Sequence, residues 1–408
     1  MKKAFYMMAA AAIALSSCSS EETTDVAKSS AITFRPTVGL NSRGAETKID
    51  NLTQMWVSAF YNKEGKDEYG QPYFENKLFT KGTGGTNGFI DPTSSLVWEK
   101  DRSYKFIAIA PATTEWTTET PTITKDEIKF TNVTPAVAIK DQKDLILGTA
   151  TGTETNSGDV SGVTLNLEHV LSQIKIRVKN QNPNLEYTIK GIRIAYVSGS
   201  GTYTHSTGAW SNFGASTTRY EVIFDNSYNI GSGADAIDLT DKLAVDPATD
   251  CGAMLIPQTF TPWDSKAVTE QVAFNDGAYI SLLLNVKNNV TKKYMYPAGA
   301  GAASECGWAA VAIPIETKGA SQATWKKGNK YIYTLDLSKG CGKVDPVDPK
   351  DPQNPNVVDP NGKDPGKGEN IFGEFIAFKV NVAEWVDTNN SFTIDGTTGT
   401  ITTKAKKK

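Results

Sequence analysis

Cysteine and histidine are scarce, with four and two residues in a chain of 408. Only Cys251, Cys306 and Cys341 lie beyond the N-terminal region, so at most one bridge forms within a monomer and the chain is no disulfide scaffold. His169 and His205 stand far apart, without cysteine or carboxylate at ligand spacing, so no metal and no cofactor are expected. His169, between Leu167 and Leu171, reads as a structural histidine rather than a base. An excess of positive charge is missing too: 42 Lys and Arg against 45 Asp and Glu give −3, and no nucleic-acid partner is expected. The one dense cationic run, Lys404 and Lys406 to Lys408, reads as a solvated chain end. Phosphate loops, nucleophile elbows and dinucleotide fingerprints are absent, and the Gly-rich run Ser198-Gly199-Ser200-Gly201 opens no helix and reads as a turn. Paired carboxylates of the glycosidase kind are neither indicated nor excluded. The chain is not expected to be an enzyme.

Long helical patterns are also hard to find, whereas alternation recurs throughout. Ile174, Ile176 and Val178 face one way and Lys175, Arg177 and Lys179 the other; Tyr220-Val222-Phe224, Ile280-Leu282-Leu284-Val286 and Tyr331-Tyr333-Leu335-Leu337 repeat the period of two. Strands wet on one face and buried on the other, separated by Gly/Asn/Asp turns, predict an all-β protein of antiparallel sheets packed as sandwiches.

The N-terminus has Lys2-Lys3, a short apolar stretch from Ala4 to Leu15, then Leu15-Ser16-Ser17-Cys18. That is a secretory signal, too short to span a bilayer as a mature helix. The segment resembles the lipobox of bacterial lipoproteins, in which the cysteine thiol is acylated, so Cys18 is the expected lipidation site and a polar tether (Ser19, Ser20, Glu21, Glu22) follows. An ordinary signal peptide with an incidental cysteine is the alternative.

Composition divides the remainder. Residues 1–17 read as signal and 18–43 as tether or propeptide, with β-sandwich domains expected over 44–158 and 159–342 on either side of the Thr/Gly/Ser-rich stretch Thr149 to Gly162. Residues 343–370 form an arm punctuated by Asp345-Pro346, Asp348-Pro349, Asp351-Pro352, Asn354-Pro355, Asp359-Pro360 and Asp364-Pro365. Proline removes donors, the residue before it is pushed to extended backbone and the acids repel, so this arm is expected to build no core and to reach about 80 Å. A calcium loop is not expected, because the Gly and terminal Glu are missing. In 371–408, Ile376, Phe378, Val380 and Val382 line one face of a strand that cannot bury that face alone.

Several of these features together resemble the fimbrillin family of Bacteroidota, the subunits of type V pili. They are the lipobox at Cys18, the Ile32-Thr33-Phe34 run, the Arg43-Gly44-Ala45 step, Leu165-Asn166-Leu167-Glu168-His169-Val170-Leu171-Ser172, the Trp325…Gly328…Tyr331…Tyr333 stretch and the terminal strand with Trp385. The resemblance implies two transthyretin-like β-sandwich domains and export as an outer-membrane lipoprotein. It also implies cleavage after an arginine and polymerisation into a surface fimbrium by donor-strand exchange. Ile32 and Phe34 would then be the placeholder face and Ile376, Phe378, Val380 and Val382 the donor face. Arg43 carries the processing role, with Gly44 as the new N-terminus; the competitor Arg35 is followed by Pro36, a poor substrate for trypsin-like cleavage. Gly44 departs from the small alkyl residue more usual there. The implied partners are other fimbrial subunits, the outer membrane through the lipid before processing, and a host or bacterial surface ligand. The long arm leaves a minor or tip role open, and Arg43 weighs against an anchor subunit.

The rival reading is a surface glycan-binding lipoprotein of β-sandwiches. Trp98, Trp116, Trp210, Trp263 or Trp308 would then be exposed to stack on sugars, whereas core packing would bury them.

Overall fold

The computed structural model describes residues 31–38, 52–63, 69–82, 88–93, 95–113, 121–157, 162–233, 235–243, 251–263, 277–315, 320–373, 376–384, 388–394 and 401–404. Cys18, Arg43, Gly44 and Trp116 lie outside them. Almost all regular structure is β, as the alternation predicts; among the described residues the only α-helix is the turn Glu154–Ser157.

The N-terminal strands are β1 (Thr33–Val38), β2 (Gln54–Lys63), β3 (Gln71–Lys81), β4 (Phe89–Ile90) and β5 (Arg102–Ala110). Next come β6 (Thr122–Ile123), β7 (Ile128–Val133), β8 (Ile146–Thr153) and β9 (Val163–His169). All but β6 and β7 close into a barrel in the order β1-β4-β3-β2-β5-β8-β9. Strand β5 shows how one period of two serves two cores: Tyr104, Phe106 and Ala108 fill the barrel with Phe34, Val57 and Phe79, while Ile107 and Ile109 face outward into a second apolar cluster. Closure leaves fewer open sheet edges than a two-layer arrangement of this half would, although β4 covers only the start of β1.

The border expected at 158/159 assigns Leu165 and Leu167 to the following unit. Their strand instead pairs with β1 and β8 and packs into the barrel, so the change of unit falls after His169. Of the Thr/Gly/Ser-rich stretch, residues 149–153 complete β8 and 154–157 form the helical turn, so that composition marks no boundary there.

Two facing sheets follow. The strands of this half are β10 (Ser172–Lys179), β11 (Leu185–Val197), β12 (Gly201–Thr204), β13 (Ala209–Ser211), β14 (Thr218–Ile230), β15 (Ile237–Asp238), β16 (Ala253–Leu255), β17 (Thr259–Phe260) and β18 (Tyr279–Asn288). They continue with β19 (Tyr294–Tyr296), β20 (Gly307–Ala312), β21 (Ala323–Thr324), β22 (Asn329–Asp336), β23 (Lys343–Val344), β24 (Ala377–Glu384), β25 (Thr388–Ile394) and β26 (Ile401–Lys404). One sheet runs β15-β10-β22-β24-β25-β26 with β16 also on β10; the other runs β14-β11-β18-β20-β23 with β19 also on β18. Ile174, Ile176, Val178, Tyr331, Tyr333 and Leu335 from the first meet Ile192, Ile280, Leu282 and Leu284 from the second in one core. Lys175, on the opposite face of β10, is buried as well, held by Asp238 at 3.0 Å and Asp241 at 2.7 Å.

A small sheet, β13-β12-β7-β6, takes two strands from each half. Phe130, Tyr203, Val170 and Leu171 pack beneath it against Ile107, Ile109 and Leu147 on the outside of the barrel.

Candidate functional site

The two strands singled out from the sequence lie in different cores. Along β1 and the residue before it, Ile32, Phe34 and Pro36 point inward and Thr33, Arg35 and Thr37 do not. Phe34 is fully buried, edge-on to Phe79 at 4.8 Å and to Phe106 at 4.9 Å, the geometry the ring quadrupoles favour. Five register pairs join β1 in parallel to β9, but β4 covers only Thr33 and Phe34 on the other side. Beyond Phe34 that side has no partner strand among the described residues, which is why Pro36 costs the ladder no donor there. Side chains and one ladder therefore hold β1 in place.

The apolar face at the C-terminus docks on its own chain. Strand β24 pairs antiparallel with β22 over eight positions, from Asn329↔Glu384 to Asp336↔Ala377, placing Ile376 and Val380 in the two-sheet core with Val382 packed half-buried against it. The side chain of Phe378 lies outside the described residues; its backbone pairs with Leu335 and Ile394. The strand is not isolated either, since β25 and β26 extend the sheet beyond it.

The arm expected to run free between these elements is folded. Asp345 and Asp351 are fully inaccessible and Asp364 is nearly so. Asp345 accepts hydrogen bonds from Arg193 Nη1 (3.1 Å), Tyr279 OH (3.0 Å), Ser281 Oγ (2.7 Å) and the backbone N–H groups of Val347 and Asp348 (3.0 Å each). Arg193 also donates to Glu221 at 2.8 Å and to the Asp348 carbonyl at 3.0 Å, and lies 4.0 Å over the Trp308 ring. Asp351 accepts from Lys190 Nζ (3.0 Å) and the Gln353 N–H (2.9 Å), and Asp364 from the N–H groups of Ala298 (2.7 Å) and Asp359 (2.6 Å). Burial pushes the Asp364 carboxyl upward despite those two bonds, and burial followed by the charge of Asp345 pushes the Tyr279 phenol far up. Asp345 and Asp351 thus satisfy N–H groups of the turns that follow them, the Asx device, and Arg193 and Lys190 on β11 neutralise both, whereas Asp364 accepts from residues that precede it.

This strap has a closed neck. Lys343 lies opposite Asn370 and Gly340 opposite Gly373, with Val344 N donating to Glu369 O and Ile371 N to Gly342 O. At Gly373 the backbone is left-handed (φ +73°), and a Cβ would stand 2.0 Å from the Lys339 carbonyl, so only glycine fits the crossing.

The exposed rings that a glycan platform needs are not found at Trp98, Trp263 or Trp308. All three are buried, and half-buried Trp210 spends its Nε1–H on the Val170 carbonyl and tilts against Tyr203. His169 is buried with Nδ1 2.7 Å from Asp144. Among the described residues no three His, Cys, Asp or Glu side chains group as metal ligands. Cys251, Cys306 and Cys341 form no disulfide, and burial pushes the Cys306 thiol up to about 12, which makes it inert at neutral pH.

No curated protein matches the chain in sequence. Among solved structures, a fimbrial protein from Bacteroides vulgatus aligns with 15% identity over 87% of this chain and 99% of its own, at a TM-score of 0.44. A candidate cell adhesion protein from Bacteroides ovatus aligns with 17% identity over 76% and 93%, at 0.42, and one from Parabacteroides distasonis with 14% over 87% and 100%, at 0.36. At those scores the likenesses carry no assignment. The sequence match does: the fimbrillin-like family matches residues 42–350, most of the chain, and the protein belongs to that family.

Proposed function

We propose that this fimbrillin-like chain is a pilin-type subunit of cell-surface fimbriae, exported as a lipoprotein through Cys18, cut between Arg43 and Gly44, and polymerised by donor-strand exchange. The observation that carries the reading is β1. It is a strand near the N-terminus, upstream of Arg43, and it supplies the fully buried Phe34 and nearly buried Ile32 to a barrel whose other strands all come from residues beyond the cut. Once severed it has no covalent hold, and its departure opens a slot between β4 and β9 lined by Phe79 and Phe106. A slot of that kind takes an extended peptide by backbone pairing, with alternate side chains filling pockets. The apolar face of β24 (Ile376, Phe378, Val380, Val382) has the matching period, and in the monomer it is stored on β22. The partners are then other subunits of the same or a related kind, and the outer membrane before cleavage.

The test is limited tryptic digestion of the precursor, followed by N-terminal sequencing and SDS-resistant ladder analysis. A new N-terminus at Gly44 together with ladders is expected, and Phe378→Asp with Val380→Asp should abolish the ladders. Cleavage without ladders, or ladders that survive the double substitution, would refute the exchange. Fatty-acid labelling that is equal in wild type and Cys18→Ala would refute the lipid.

A further inference from the structure

We propose that the Asp-Pro strap stays folded during assembly and positions the donor strand, so that the movable arm begins at Gly373 and not at Lys343; this rests on the reading of β24 as donor. Three observations converge. The strap lies mostly beyond residue 350, where the family match ends, so its role has to be read from its own contacts. Its carboxylates are tied to positions far away in sequence, Asp345 to Arg193, Tyr279 and Ser281, and Asp351 to Lys190. Peeling it away would leave Arg193, whose side chain is 2% exposed, without its most buried carboxylate partner. Finally, the ladder at the neck holds the entry and exit of the strap side by side, so the folded strap adds nothing to reach.

The geometry separates two mechanisms. Twelve residues from Gly373 to Glu384 span about 40 Å when extended. Releasing the strap would add about 80 Å more and let neighbouring subunits sit at many spacings. A folded strap imposes one spacing. Asp345 and Asp351 are therefore positioning residues for the exchange, and their contribution is to where the arm starts, with no contact to the receiving barrel.

Lys343 and Asn370 face each other as an antiparallel pair flanked by, and not exchanging, the neck hydrogen bonds, the arrangement whose Cα separation suits a disulfide. The experiment uses the cleaved full chain carrying Lys343→Cys and Asn370→Cys, with the bridge verified by mass spectrometry. Oxidised and reduced protein should give the same ladders and the same filament repeat. Ladders that appear only after reduction would overturn the proposal. A parallel variant, Ile332→Cys with Asn381→Cys, locks β24 onto β22; ladders unaffected by that lock would sink the donor reading while leaving the strap result to stand separately. Hydrogen exchange on the unsubstituted chain guards against misfolding of the variants. Val347, Asp348 and Gln353 amides, which Asp345 and Asp351 hold, should be equally protected in monomer and polymer, and loss of protection in the polymer would overturn the proposal.

Discussion

Strands β1 and β24 carry nearly the same alternating apolar pattern and are held in opposite ways. In β1 the side chains dominate: two edge-to-face aromatic contacts sit in a closed barrel, with a ladder complete on one side only. In β24 the backbone dominates, with eight register pairs to β22 and seven to β25, and two side chains buried in a core that continues without them. On the proposed reading, taking β1 away leaves a slot with two walls, which recognises a replacement. Taking β24 away leaves an ordinary sheet edge, which does not. The difference teaches that the same apolar period can be held chiefly by backbone pairing or chiefly by side-chain pockets, and the proposed exchange uses the first for storage and the second for selection.

The sharpest attempt to break that contrast is Phe34→Ala in the uncleaved precursor. Losing the ring should cost about 3–5 kcal/mol, read in denaturant melts through Trp98, which packs on Phe106. The same substitution should leave the cleaved polymer unchanged, because β1 is gone; an equal loss in both would end the placeholder role. Val380→Ala should cost about 2 kcal/mol, read through Trp325 in the two-sheet core. If it matches Phe34→Ala, the two strands are held alike. A synthetic peptide of residues 31–38 added to cleaved monomer should restore the precursor's melting temperature and suppress ladders, while the peptide with Phe34→Ala should do neither.

The smallest effect lies at the far edge of the β24 sheet. Burial works to raise the Asp238 carboxyl, but the Lys175 ammonium and hydrogen bonds from Thr240 and Arg177 outweigh it and hold the carboxyl below its ordinary 3.8. A lowered carboxyl stabilises the fold above its unfolded value, and that stabilisation is lost as pH falls through the folded one. Asp238→Asn should therefore melt lower at neutral pH, modestly because Asp241 still pairs Lys175, and the gap to wild type should close as pH is taken below 3.8. A gap that persists in acid would mean the loss is one of packing.

Much of this was legible in the residues. Period-two runs placed Ile174, Ile176, Val178, Tyr331 and Tyr333 in a core, and named both Ile32/Phe34 and Ile376/Val380 as buried faces. Two things were not. Proline and like charge exclude a self-sufficient core, so the sequence predicts a free arm over the Asp-Pro segment. Its partners, Arg193 and Lys190, come from 152 and 161 residues away, and no local pattern announces them. Asp directly before Pro was the available signal, as a turn-capping device. Likewise β9 looked like the opening of a new unit, since nothing in Val163 to His169 says that its partners are β1 and β8. Long-range pairing is decided by which edges remain open once the neighbouring strands are in place.

The small four-stranded sheet has a mechanical consequence. The covalent chain passes from barrel to sandwich at Val170 and Leu171, a single crossing that would by itself act as a pivot. Pairing of Val133 with Gly201 and of Phe130 with Tyr203, the Trp210 bond to Val170 and the Gln142 bond to the Met254 N–H, at 2.8 Å, splint that crossing from several sides. A bending load between the halves is then carried in parallel by cross-links from both, so barrel and sandwich respond to force as one stiff body and not as two beads on a hinge.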